Sequence, residues 1–271
     1  MDQQDLVSGF ADVDRTADPT SFAAWLDRSS AMEFFQRVKR QTYALLELRA
    51  GNAVLDVGCG TGEDVRALAE VVGPGGRAVG VDISETLLTE ARARAGAISR
   101  AEFHLGDARA LPFAAASFDG CRAERTLTYL ADPAPAVAEM VRVVRPGGRV
   151  VAFEPDLEAL MVDAPDAGLT RTILAYFCEG FPNSRSGRQL PALFVAAGLR
   201  DVAVAPVTLV VADFEQADQF FKLRATVERA GAEGRVAVAD GERWVGELEA
   251  RGRAGQFFLA SPAFVVSGRT A

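Results

Sequence analysis

The stretch Val54-Leu55-Asp56-Val57-Gly58-Cys59-Gly60-Thr61-Gly62-Glu63 limits the fold more than any other part of this chain. An apolar run that ends in three alternating glycines and passes straight into a helical pattern reads as strand, tight turn and helix. Lacking Cβ atoms, such a turn lets the backbone come into contact with a ligand. The alternation continues downstream, with strands expected at residues 78–82, 102–105, 118–123 and 149–154. Helices are expected at 63–72, from the Ser84 cap toward 95, and at 134–144, the last stopped by Arg145-Pro146-Gly147-Gly148. Short apolar strands separated by helices spell a parallel α/β sheet.

Beyond residue 154 the period changes. A helix at 187–197 leads into a strand at 202–212, and a final strand is expected at 257–267. Two helical insertions stand out, 155–186 and 214–253, the second longer than ordinary connections. The N-terminal stretch 21–48 is helical, with Phe22, Trp25, Leu26, Phe34, Phe35 and Val38 on an apolar face.

The loop spacing is G-x-G-x-G, and Glu63 stands where a dinucleotide fingerprint needs its third glycine. Asp82 ends the second strand twenty residues after Gly62, where a carboxylate can take both hydroxyls of a ribose. Loop and acid together indicate a nucleoside cofactor. A short-chain oxidoreductase would need Lys four residues after a Tyr, but Tyr43, Tyr129 and Tyr176 are followed at that distance by Glu47, Pro133 and Gly180.

Composition removes other chemistries. At 271 residues and 49% hydrophobic, the chain can bury a large core as one domain or one domain with an appendage. Its net charge of −8 argues against nucleic acid as the main partner. His104 is the only histidine, so a His-rich metal site is excluded, and no G-x-S-x-G elbow is present to serve a triad. Three scattered cysteines, with no CxxC pair, read as reduced intracellular thiols. The first eleven residues carry no basic, apolar leader, and the uncharged run 254–268 is too short to span a bilayer, so a cytoplasmic protein with no membrane partner is expected.

Four linked signals resemble the class I S-adenosylmethionine-dependent methyltransferases, in the small-molecule branch that includes quinone-biosynthesis enzymes. They are Leu55-Asp56-Val57-Gly58-Cys59-Gly60-Thr61-Gly62; Val81-Asp82-Ile83-Ser84; Gly106-Asp107-Ala108 with Leu111-Pro112-Phe113 and Ser117-Phe118-Asp119; and Val144-Arg145-Pro146-Gly147-Gly148. The likeness covers roughly residues 50–156. It implies a Rossmann-like, seven-stranded, mostly parallel sheet with the last strand antiparallel and helices on both faces. A helical cap over residues 1–50 and a methyltransferase domain over 51–271 follow, with 155–186 and 214–253 as acceptor-side lid.

The resemblance implies S-adenosylmethionine as cofactor and S-adenosylhomocysteine as product. Gly58, Cys59 and Gly60 would lie along the methionyl and ribose parts, and Asp82 would accept the ribose hydroxyls. Asp107 would meet the adenine amino group, Ile83 and Ala108 the ring, and Asp56 backbone amides or the cofactor ammonium. Glu124, at the end of the fourth strand, would line the site or accept a substrate proton; Glu154 and Asp156 sit at the next strand end, with ordinary capping as the alternative. His104 falls inside the third strand, where a structural role competes with that of general base. Arg125 is a candidate for an anionic acceptor or a solvated ion pair, and Arg185 and Arg188 for the pocket mouth or solvent. Trp25, Tyr176, Phe177 and Phe220, with Phe22, Phe34, Phe181 and Phe221, could wall an apolar acceptor or form lid core.

No Asn/Asp-Pro-Pro-Tyr motif follows strand four, which weighs against amide or exocyclic-amine methylation. Displacement at a sulfonium needs alignment and exclusion of water rather than a metal or a triad. The expected activity is methyl transfer to O, N or C of a small, partly apolar metabolite, in secondary metabolism, by a monomer or homo-oligomer. A cofactor-binding protein that transfers no methyl stays open, as does a macromolecular methyltransferase, which would need a basic rim.

Overall fold

The computed structural model describes residues 9–16, 18–96, 98 and 100–271. The reading of the extreme N-terminus as free of a leader falls largely on residues 1–8, outside the described residues. After short 3₁₀ turns at Gly9–Ala11 and Val13–Arg15 come two helices, α1 (Thr20–Ser30) and α2 (Glu33–Leu45), broken at Ala31-Met32 rather than continuous. The sheet then begins with β1 (Ala53–Val57), α3 (Glu63–Val72), β2 (Arg77–Asp82), α4 (Glu85–Ala95), β3 (Ala101–Leu105) and β4 (Phe118–Glu124). It continues through α5 (Ala134–Val143), β5 (Val144–Pro155), the two-residue β6 (Met161–Val162), α6 (Ala167–Glu179), α7 (Ser186–Ala196) and β7 (Arg200–Val211). Helices α8 (Phe214–Phe221), α9 (Leu223–Ala232) and α10 (Val238–Arg253) precede the closing strand β8 (Leu259–Arg269).

The strand order is β3-β2-β1-β4-β5-β8-β7, with β6 paired to one end of β8. β1 to β5 run parallel, and β8 is antiparallel to both of its long neighbours, β5 and β7. The seven long strands and the antiparallel last strand match the expectation. Arg145-Pro146-Gly147-Gly148 ends α5 as read, yet these residues already belong to β5. Phe118 pairs with Val144 before a register shift restores pairing at Gly120 and Arg149.

Every residue of β1 is buried, as a central parallel strand requires. Val54 points to a core with Phe35 and Val38 of α2 and Val65, Leu68 and Val72 of α3. Leu55 and Val57 point oppositely, to Val137 and Met140 of α5 and Leu190 and Phe194 of α7. The first core runs on into α6 and α8 to α10, where fully buried Trp244 donates Nε1–H to Thr170 Oγ1 at 2.9 Å. No helix among the described residues is long and apolar enough to cross a membrane.

Because the chain runs outward from β1 to β2 and β3 on one side and to β4 and β5 on the other, a crevice opens between the carboxyl ends of β1 and β4. The glycine turn, the end of β2, the loop after β3 and the loop after β4 all converge there.

Candidate active site

Gly58, Gly60 and Gly62 all hold positive φ, at 72°, 51° and 71°. A Cβ on Gly58 would stand 2.2 Å from Thr126 Oγ1, and one on Gly62 2.5 Å from the Phe103 ring. Glycine is therefore required both by conformation and by close approach. The turn is tied to β2 by Gly58 N and Cys59 N, which donate to Val81 O at 2.8 and 3.0 Å. Asp82 completes it: one oxygen accepts from Gly60 N at 2.8 Å, the other from Ser84 N at 2.9 Å. Burial raises the Asp82 pKa against the pull of these amides.

These groups edge a cavity of about 230 Å³. Gly58, Gly60, Asp82, Ile83, Asp107, Ala108 and Glu124 from the predicted set line it, with Trp25 and Arg125. Asp107 is held by the Arg109 guanidinium and amide, at 2.6 and 2.8 Å, and the guanidinium keeps its pKa low. The sequence reading missed Phe10, Leu26, Thr126 and Tyr129 on the same wall. It also missed Asp14, whose carboxylate accepts from Ser84 Oγ and from the amides of Glu85 and Thr86, fastening the N-terminal segment beside Asp82. An acid near a helix start is a readable signal only when the helix is close in sequence.

Asp56 and Cys59 line not this cavity but a polar recess of about 40 Å³ that adjoins it at Gly58, Gly60, Glu124 and Arg125. Cys59 Sγ packs toward Gly80, where burial raises the thiol pKa. Asp56 lies in a buried ionic cluster beneath the turn, bonded at 2.9 Å to Arg122 Nη1. The same guanidinium meets Asp64 at 3.2 Å and Glu124 at 2.5 Å. Lys39 Nζ, from α2, lies 2.5 Å from Asp64 and 3.7 Å from Glu124, and Tyr43 OH donates to Asp64. Burial pushes the Asp56 pKa up to about 7, whereas Arg122 and Lys39 outweigh burial at Asp64 and hold it well below the usual range. The Asp56 carboxylate is thus engaged by an ion pair at the edge of the recess beneath the glycine turn. Glu124 does line the cavity, but both its oxygens face cations, Arg122 on one and Arg125 at 3.4 Å on the other. That arrangement favours a fixed negative charge over a mobile base.

Glu154 is turned away from the crevice and fully buried. Its carboxylate accepts from the amides of Thr126, Leu127 and Thr128 at 2.8, 2.7 and 3.1 Å and from Ser186 Oγ at 3.2 Å. It shapes the loop after β4 and does not line either cavity described here. Burial raises its pKa to about 7. A carboxyl whose folded pKa lies above its unfolded value contributes stability below the unfolded value that is lost as pH rises through about 7. Glu154→Gln should therefore be less stable than wild type at pH 5, and the gap should narrow by about 1–3 kcal/mol by pH 8. Urea denaturation at the two pH values measures it; a gap that widens contradicts the assignment.

His104 is half-exposed on β3, edge-on to Phe113 and 3.7 Å from Glu102, outside both cavities. Asp156 is bound by Arg188 through two contacts of 2.5 and 2.6 Å, and Arg185 faces Glu158 at 3.8 Å, so neither arginine is placed at the crevice.

A second cavity, of about 70 Å³, adjoins the first and shares Trp25, Arg125 and Tyr129 with it. Phe34, Phe35, Phe153, Phe177, Phe181, Phe220 and Phe221 join Trp25 and Tyr129 in giving it a largely aromatic wall. Phe220 connects α8 to the N-terminal helices through Trp25 and Phe35, at ring separations of 5.1 and 5.6 Å. Tyr176 does not line it; its neighbours are Arg229 and Arg235. Phe22 lies in a separate cluster with Val13 and Leu87. Among the described residues no group of three or more His, Cys, Asp or Glu is placed to hold a metal ion.

Residues 55–152 match the model of a methyltransferase domain. The chain is 34% identical over 202 residues to the O-methyltransferase resE of Aspergillus sclerotiorum, covering 72% of this chain and 70% of that one. It is 30% identical over 207 residues to a demethylmenaquinone methyltransferase of Bacillus cereus, covering 66% of this chain and 84% of that one. The YcgJ protein of Bacillus subtilis has the same fold, with a TM-score of 0.61 at 21% identity over 87% of this chain and 98% of its own. The chain belongs to the S-adenosylmethionine-dependent methyltransferases.

Proposed function

We propose that this methyltransferase acts on a small, partly apolar metabolite of cytoplasmic secondary metabolism. One observation carries the reading: an aromatic-walled cavity adjoins the cofactor-type crevice through Trp25, Arg125 and Tyr129. The crevice suits S-adenosylmethionine, since its floor is backbone where Cβ atoms would not fit and its edges present carboxylates at Asp82 and Asp107. When bound, the cofactor supplies a methyl group already activated on a sulfonium.

The protein's own tasks are then binding, alignment and exclusion of water. Asp82 takes the ribose hydroxyls, Asp107 the adenine amino group, and Ile83 and Ala108 cover the ring. The backbone of Gly58, Cys59 and Gly60 borders the remainder, and Glu124 gives a fixed negative charge near the methionyl end. The N-terminal helices, residues 155–186 and residues 214–253 form the acceptor-side cover, with Trp25, Phe177 and Phe220 against the acceptor. Relatives with small-molecule names, the O-methyltransferase and the demethylmenaquinone methyltransferase, support this choice over a macromolecular acceptor.

Incubation with methyl-tritiated S-adenosylmethionine and the low-molecular-mass fraction of cells that make the protein tests it. Label should enter solvent-extractable small molecules; label confined to protein or nucleic acid contradicts the proposal.

A further inference from the structure

The cavity on the acceptor side holds one charge. Among the described residues that line it, all are apolar, aromatic or neutral except Arg125. Arg125 lines the cofactor crevice as well, so its guanidinium stands at the boundary between the two. Its side chain is only 15% exposed. It lies 4.3 Å over the Phe35 ring and 5.4 Å over that of Trp25, which fixes its plane.

Its hydrogen-bonding capacity is largely unused. Nε is buried without a partner among the described residues. The remaining contacts are long, 3.4 Å to Glu124 and 3.5 Å to Ser29 Oγ. Arg122, three residues earlier, shows the contrast with Nη contacts of 2.9 and 2.5 Å. The backbone holds Arg125 in place at some cost: φ is +53°, in the left-handed region that a residue with a Cβ rarely occupies. Glu154 gathers the next three amides, and Arg125 N donates to Phe153 O at 2.8 Å. A buried guanidinium with open donors, aimed where an acceptor must sit, calls for an anionic oxygen.

Resting on the methyltransferase reading above, we propose that the acceptor is an apolar or aromatic acid, a carboxylic acid or an acidic enol or phenol, whose ionised oxygen pairs with Arg125 and receives the methyl group. The acceptor's proton goes to solvent before binding, so no protein base is needed. That agrees with His104 and Glu154 lying away from the cavities and Glu124 being held by cations. The oxyanion takes the methyl carbon as the carbon–sulfur bond breaks, leaving that electron pair on sulfur. A neutral ester or ether and a neutral thioether result. A neutral acceptor would leave the guanidinium and the sulfonium with no counter-charge on the acceptor side, so the same residue discriminates against it.

The test uses the full chain saturated with S-adenosylhomocysteine and two probes of nearly equal shape, naphthoate and neutral naphthamide, in calorimetry. Wild type should bind naphthoate at least about tenfold more tightly than naphthamide. Arg125→Gln should remove that preference, Arg125→Lys should retain part of it, and both should bind S-adenosylhomocysteine within about threefold of wild type. Equal binding of the two probes by wild type, or no binding of naphthoate, overturns the proposal without needing any variant. A loss of S-adenosylhomocysteine affinity in Arg125→Gln matching its loss of naphthoate would assign the guanidinium to the cofactor and also overturn it. Failure of wild type to bind S-adenosylhomocysteine at all would instead overturn the cofactor reading beneath it.

Discussion

Asp82→Ala should weaken S-adenosylhomocysteine binding about 100-fold, read as the calorimetric Kd. Each hydrogen bond from a ribose hydroxyl to a carboxylate is worth about 1.5–3 kcal/mol, and a factor of 100 is about 2.7 kcal/mol. The substitution also removes the acceptor for Gly60 N and Ser84 N, so the glycine turn loses its tie to β2 from the side that faces the ligand. Asp82→Asn keeps one carbonyl acceptor and should lose about tenfold. Thermal stability should change far less than affinity, because the turn stays anchored through Gly58 N and Cys59 N to Val81 O. An unchanged Kd in Asp82→Ala would remove the ribose assignment.

Arg122→Met should have the largest effect on stability. Its largely buried guanidinium neutralises Asp56, Asp64 and Glu124, and the variant would leave only Lys39 beside Asp64 and Arg125 beside Glu124. Breaking a buried pair by removing one partner costs about 3–5 kcal/mol. For a chain of this size that lowers the melting temperature by roughly 10 °C. The sign with pH follows from the carboxylates. In wild type Asp64, held low, contributes stability that is lost on acidification, while Asp56, raised to about 7, costs stability as pH rises through that value. Without the guanidinium Asp56 and Asp64 lose the main charge that offsets their burial, so the deficit should be larger at pH 8 than at pH 5. Calorimetric scans at both values check it, and a melting point within about 2 °C of wild type at pH 8 would show that the cluster does not depend on Arg122.

The parts of the site that were legible from sequence are those written locally. Gly58, Gly60, Asp82, Ile83, Asp107 and Ala108 each lie at a strand end or within three residues of one, and parallel pairing brings the strand ends to one edge whatever packs around them. What was hidden depends on partners far away in the chain. Lys39 meets Asp64 twenty-five residues on, Arg122 meets Asp56 across sixty-six, and Asp14 reaches Ser84 across seventy. An arginine inside the run Phe118-Asp119-Gly120-Cys121-Arg122-Ala123 looks like a break in an apolar strand until Asp56, opposite it on β1, is seen to accept from it.

Glu154 stands at the expected strand end and takes the capping alternative, since strand alternation carries its side chain to the amides of the β4 loop. Helical phase decides between neighbours on α6: Phe177 faces the second cavity, joined there by Phe181 from the turn beyond the helix, whereas Tyr176 turns to Arg229 and Arg235. The insertions could be recognised as helical, but the cavity they wall arises from contacts between α8 and the N-terminal helices that no local pattern encodes. The low histidine count, at first only an exclusion, gains a positive sense beside Arg125: an acceptor that arrives ionised asks nothing of a base.

A crystal structure with S-adenosylhomocysteine bound would test the central claim most directly. The bound nucleoside should set its ribose hydroxyls on Asp82, its adenine beside Ile83, Asp107 and Ala108, and its sulfur at the junction of Trp25, Arg125 and Tyr129, facing the aromatic cavity. A sulfur turned away from that junction, or a nucleoside bound elsewhere than along the Asp82 edge, would contradict it.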